Sequence, residues 1–109
     1  MALTIKTIKK RSTFNLMREK GLFVKGESIN LQFLEDKELN KTTLVGYTAT
    51  KKIGNAVKRN KAKRIMRELT KKIIEKHGKK NSYYVLIAKN SIFDKPFNLL
   101  EIELRKLIS

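Results

Sequence analysis

The apolar positions of the chain change period several times, and each change marks an element. Residues 12–20 carry Phe14, Leu16 and Met17, with Ser12 ahead of them and Gly21 behind. These are the marks of a short helix capped by Ser12 and closed by a glycine. From 23 to 34, Ile29, Leu31 and Phe33 alternate with Asn30 and Gln32, the period of a half-buried strand, and Gly26 divides the run in two. The polar stretch 35–43 reads as a turn. Residues 44–50 read as the next strand, with Val45, Tyr47 and Ala49 on one face and Gly46, Thr48 and Thr50 on the other, pairing with the preceding strand as a hairpin.

The longest helix prediction covers 55–77 and ends at Gly78. Ala62, Ile65, Met66, Leu69 and Ile73 fall on one stripe. Asn60, Lys63, Arg64, Arg67 and Lys71 share an arc of about 100° on the opposite side. Residues 83–89 (YYVLIAK) form a nearly continuous apolar run, which suits a central strand covered on both faces. Pro96 opens a final amphipathic helix carrying Leu99, Leu100, Leu104, Leu107 and Ile108, with Asp94 as its candidate cap.

Composition narrows the function. A chain of 109 residues with 40% apolar content fits one hydrophobic core and one domain. Its formal net charge of +16 is concentrated, because residues 51–80 hold 13 basic and 2 acidic residues while 27–50 hold 2 and 4. Such a patch calls for a polyanion. No signal sequence or bilayer-length apolar run is visible, so a cytoplasmic protein with no membrane partner is expected. With no cysteine and one histidine, thiolate metal sites, Cys nucleophiles and multi-His clusters are excluded. Residues 1–10 read as a flexible basic segment.

The densest signal is KKIGNAVKRNKAKRIMRE, residues 51–68, in which no acid occurs from Lys51 to Arg67. A merely solvated helix face usually mixes signs at i,i+4 spacing. Gly54 and Asn55 place helix N-terminal amides beside Lys58, Arg59, Lys63, Arg64 and Arg67, as an anion-binding surface requires. Strands precede this helix, which disfavours a helix-turn-helix, and charge alone leaves RNA and DNA both open. Asn30, Gln32, Thr48 and Thr50 on strand faces, with Phe14 on the adjoining helix, could hold a single strand by stacking and hydrogen bonds, although Phe14 reads equally as core. The acids Glu35, Asp36 and Glu38 lie in a turn without the rigid convergence that metal-dependent hydrolysis needs. His77 suits a helix C-terminus better than general base catalysis. No catalytic side chain is identified.

The run Lys51-Lys52-Ile53-Gly54-Asn55-Ala56-Val57-Lys58-Arg59-Asn60-Lys61-Ala62-Lys63-Arg64-Ile65-Met66-Arg67 closely resembles the signature of the bacterial ribonuclease P protein subunit. The likeness extends to Arg11-Ser12-x-Phe14, to Gly46-x-Thr48-x-Thr50 and to the order of elements, and so covers most of the chain. It implies an α+β fold, a two-layer α/β sandwich in the order αβββαβα, with a four-stranded sheet and a left-handed βαβ crossover against the usual preference. It also implies a role, with RNA and no DNA as partner, as protein subunit of a ribonucleoprotein endoribonuclease that removes the 5′ leader of precursor tRNA. The catalytic RNA, with Mg²⁺ bound mainly by that RNA, would perform the hydrolysis.

On this resemblance Lys51, Lys52, Gly54, Asn55, Lys58, Arg59, Asn60, Lys61, Lys63, Arg64 and Arg67 would bind the catalytic RNA. Phe14, Arg18, Asn30, Gln32, Thr48 and Thr50 would form the leader cleft, and Asn60 is the candidate for any direct metal contact. Two positions depart from the family pattern. Lys61 stands where the second Arg of an Arg-Asn-Arg triplet is usual, losing a planar fork. Arg18 stands where an aromatic is common, exchanging a stacking ring for a guanidinium. Rival readings from other classes are a small ribosomal or other structural RNA-binding protein and a self-sufficient ribonuclease.

Overall fold

A computed structural model describes residues 3–109. A five-stranded sheet runs in the order β1-β4-β5-β3-β2, built from β1 (Thr4–Thr7), β2 (Leu22–Val24), β3 (Ile29–Glu35), β4 (Thr42–Thr48) and β5 (Ser82–Ala88). The helices are α1 (Arg11–Lys20), α2 (Ala56–Leu69), a short α3 (Glu75–His77) and α4 (Phe97–Ile108). Strand β5 is central, as its apolar run requires. It pairs parallel with β4 and antiparallel with β3.

Alternation along the strands produces two cores. Ile29 and Leu31, Val45, and Tyr84, Leu86 and Ala88 point to the face covered by α2 and α4, where Ala62, Met66, Leu69, Ile74, Leu100 and Leu104 meet them. The opposite face carries a smaller cluster of Ile8, Met17 and Val85, with Phe14, Leu34, Leu44, Tyr83 and Ile87 packed around it. Helix α1 covers only part of that face. Its incomplete coverage is what leaves a groove.

Several expectations are corrected. The sheet has five strands instead of four, because part of the segment read as a flexible tail is β1, paired parallel with β4 from Thr4↔Thr42 to Thr7↔Val45; its first two residues lie outside the described part. The lysines there mask two apolar anchors, Ile5 against the main core and Ile8 in the second. The two-layer description also gives way, since α1 packs on one face of the sheet and α2 with α4 on the other. Strands β3 and β4 form no hairpin, for β5 lies between them. Strand β5 is buried on both faces, with Tyr84 and Leu86 in the main core and Val85 in the second, which suits the central place between them.

Helix ends differ as well. Helix α1 begins at Arg11 behind Lys10, with no side-chain cap, so Ser12 is a helical residue. Gly21 and Gly78 leave their helices in extended conformations, at φ −72° and −74°, so neither is a left-handed C′ residue. Asp94 ends a 3₁₀ turn at Asn90–Phe93 and does not cap α4. The long helix is interrupted by a π-turn at Thr70–Ile74. There Thr70 donates to the Met66 carbonyl at 3.0 Å, and the turn brings Thr70, Ile73 and Ile74 into the core together.

Candidate nucleic-acid interface

The basic helix is launched by a short relay. Lys51–Ile53 form a 3₁₀ turn anchored by buried Ile53, and Gly54 follows at φ +136°, a backbone state that a β-carbon strains. Asn55 then caps α2, its side-chain oxygen accepting the Lys58 amide at 3.0 Å. Asn55 therefore sets the helix start with the oxygen that could otherwise have met RNA. Lys51, Lys52, Lys58, Asn60, Lys61, Arg64 and Arg67 are exposed, while Arg59, Lys63 and Gly54 are half-buried.

The cations of α2 are held apart by what lies beneath them. The Arg67 guanidinium sits 5.7 Å from the Tyr47 ring centroid, and Lys61 Nζ sits 5.8 Å from that of Phe93. Arg67 and Lys61 thus rest on opposite shoulders of the helix, with Asn60 and Arg64 on its crest. Burial raises the Tyr47 pKa against the opposing effects of its hydrogen bond to Thr70 and the Arg67 charge. Tyr47 remains neutral and donates to Thr70 Oγ1 at 3.0 Å.

On the other face a groove of about 590 Å³ is lined by Phe14, Arg18, Gln32, Thr48 and Thr50, together with Lys9, Arg11 and Ile87. Five of the six residues expected in a single-strand cleft are brought together here. Asn30 is not among them. Its side-chain oxygen accepts the Gly26 amide at 3.0 Å, and it lines an adjoining hollow of about 780 Å³ with Lys51, Lys52, Lys89 and Asn90. Thr50 and Ile87 line both hollows, so one continuous trough runs from α1 to the start of α2. Thr50 lies past the end of β4, at the start of the 3₁₀ turn, and not on a strand. Arg18 is steadied by donating to Asn15, one turn earlier on α1.

Residues 4–109 match the Ribonuclease P family. The chain belongs to that family. The Ribonuclease P protein component of Caulobacter vibrioides is 36% identical over 87 residues, covering 80% of this chain and 58% of that relative's length. The solved RNase P protein of Staphylococcus aureus has a TM-score of 0.77 at 29% identity, over 93% of this chain and 90% of that one. The RNase P protein of Thermotoga maritima, with a TM-score of 0.77 at 22% identity over 94% of each chain, shares the fold.

Within this Ribonuclease P family framework the described residues do not suit a protein-held metal. They contain no group of three or more His, Asp or Glu side chains able to hold one. Asn60 is exposed on the crest of a cationic helix, an unfavourable place for a divalent ion without carboxylates. Sequence reasoning missed Lys9, Ile87, Lys89 and Asn90 as trough residues. Lys9 falls in the segment that reads as a flexible tail, and Ile87 is an outward residue of a run that reads as wholly buried. The described part holds no helix long and apolar enough to cross a membrane.

Proposed function

We propose that the chain is the cytoplasmic protein subunit of ribonuclease P, binding the catalytic RNA along α2 and the 5′ leader of precursor tRNA in the trough. The observation that carries this reading is that the groove adjoins, through Thr50 and Ile87, the hollow lined by Lys51 and Lys52 just ahead of α2, in a member of the Ribonuclease P family. A strand held by Phe14, Arg18, Gln32 and Thr48 is delivered to the Lys51–Lys52 turn, where the phosphates of a second RNA are neutralised. The protein neutralises and positions, and the RNA with its Mg²⁺ cleaves. The left-handed sense of the β4–α2–β5 crossover, implied by the resemblance, belongs to the same reading.

Reconstitution tests it. Purified protein added to the catalytic RNA should lower the Mg²⁺ needed for leader removal and tighten precursor binding, and protein alone should cleave nothing. Cleavage by protein alone would establish a self-sufficient nuclease, and no effect in either case would point to a structural RNA-binding role.

A further inference from the structure

Strand β2 is an outer strand of the sheet, paired only with β3. Two adjacent apolar residues on it, Leu22 and Phe23, are 65% and 53% exposed. Val24 packs against the main core, but Phe23 belongs to neither core cluster. Packing does not explain a phenylalanine there.

Register does. The cross-strand partner of Phe23 is Gln32, and directly opposed residues of antiparallel strands project from the same face. Gln32 lines the groove. Phe23 therefore stands on the groove face, one strand spacing of about 4.8 Å beyond Gln32, just past the C-terminal end of α1. Exposed Lys20 and Lys25 flank β2 in the chain, and Arg18 lies on the last turns of α1. An open aromatic ring among cations at the mouth of a groove is the arrangement on which single-stranded nucleic acid stacks. Edge-to-edge pairing of two copies is the competing use of such a strand, but it would bring together two chains of net charge +16.

We propose that Phe23 is a stacking platform that extends the single-strand path outward past Gln32, taking a base of the leader beyond those held between Phe14 and Thr48. The proposal rests on the trough being the leader site. It also gives the chain a stacking ring on that side of the groove, where Arg18 supplies a guanidinium.

The chain contains no tryptophan, so Phe23→Trp installs a lone indole at the platform, excited beyond the absorption of the three tyrosines. In the assembled holoenzyme, precursor tRNAs with leaders of stepped length should quench it only beyond a threshold length, and mature tRNA should not quench it. Phe23→Ala should weaken binding of long-leader precursor by about fivefold or more and leave the shortest-leader precursor unchanged, with Phe23→Tyr restoring affinity. Phe14→Ala, measured alongside, reports on the groove itself. If Phe14→Ala weakens precursor binding while Phe23→Ala does nothing at any leader length, the platform is wrong and the groove reading stands. If neither variant distinguishes precursor from mature tRNA, the groove reading fails as well. Equal losses for both tRNAs, or a self-associated wild-type protein that Phe23→Ala converts to monomer with RNA binding intact, would also overturn the platform.

Discussion

Phe14 lies directly against the bare Cα of Gly46: a β-carbon added at Gly46 would come within 2.7 Å of Phe14 Cε1 and 3.3 Å of Ile8 Cβ. The first contact is with the tip of a side chain that borders open groove, and the second is with a buried residue that cannot retreat. Gly46→Ala should therefore tip the Phe14 ring into the groove while keeping the fold, at a cost of about 1 to 2 kcal/mol. Precursor tRNA should bind more weakly, and affinity for the catalytic RNA should hold. Thermal melts and paired binding titrations check this, and equal loss for both RNAs would show that the glycine serves packing alone.

The acid-free face of α2 predicts a steep salt dependence. Counterion release makes log affinity fall linearly with log salt, and each phosphate contact removed should flatten the slope by about 0.7 to 0.9. Arg64→Ala removes a crest cation with no intramolecular partner among the described residues, so its stability should be unchanged. Arg67→Ala also removes the contact with Tyr47 and should lower stability by about 0.5 to 1 kcal/mol. The double variant should bind the catalytic RNA more weakly, with a shallower slope and native circular dichroism. Unfolding of the double variant would contradict the exposure of this face.

The start of β3 depends on a carboxylate far away in sequence. Glu103 Oε2 accepts the Ser28 and Ile29 amides at 2.8 Å each, and Oε1 accepts from Lys95 at 2.9 Å. Burial alone would raise the Glu103 pKa, but the hydrogen bonds from Lys95 and from the two amides outweigh it and hold the carboxyl below its ordinary range. A depressed folded-state pKa favours the ionised form in the folded chain. Its contribution is complete above the ordinary value near pH 4.5 and is lost as pH falls through the folded value. Wild-type stability should decline as acid is added below about pH 5. Glu103→Gln should be less stable at neutral pH by about 1 to 2 kcal/mol and should show a flatter acid limb. Parallel limbs in pH-dependent melts would remove Glu103 from this role.

What could be read from the chain follows what its patterns encode. Seven elements in their right order come from local signals: the alternation of Ile29, Leu31 and Phe33, the stripe from Ala62 to Ile73, and the unbroken run that makes β5 central. Partners were not legible, because register is decided across the sheet. Nothing in 44–50 says that β4 lies beside β5 instead of β3, and Ile5 and Ile8, with lysines around them, do not announce a strand. The basic surface could be read because its residues are contiguous in sequence. The trough was read only in part, since Lys9 and Ile87 reach it by tertiary placement, and Asn30 and Asn55 spend their side-chain oxygens on the Gly26 and Lys58 amides.

Phe14 carries the sharpest prediction about the trough because it belongs to two environments. It packs against the cluster of Ile8, Met17 and Val85, yet it also lines the groove. Phe14→Ala should therefore lower both stability and precursor affinity, and the two effects must be separated. Phe14→Leu keeps apolar bulk over Gly46 and removes only the aromatic face. If a base stacks on the ring, Phe14→Leu should melt near wild type while losing about 1 to 3 kcal/mol of precursor binding, with mature tRNA unaffected because it lacks a leader. If Phe14→Leu binds precursor like wild type and only Phe14→Ala is weakened, the ring acts as core filler, and recognition in the groove falls to Arg18, Gln32 and the two threonines.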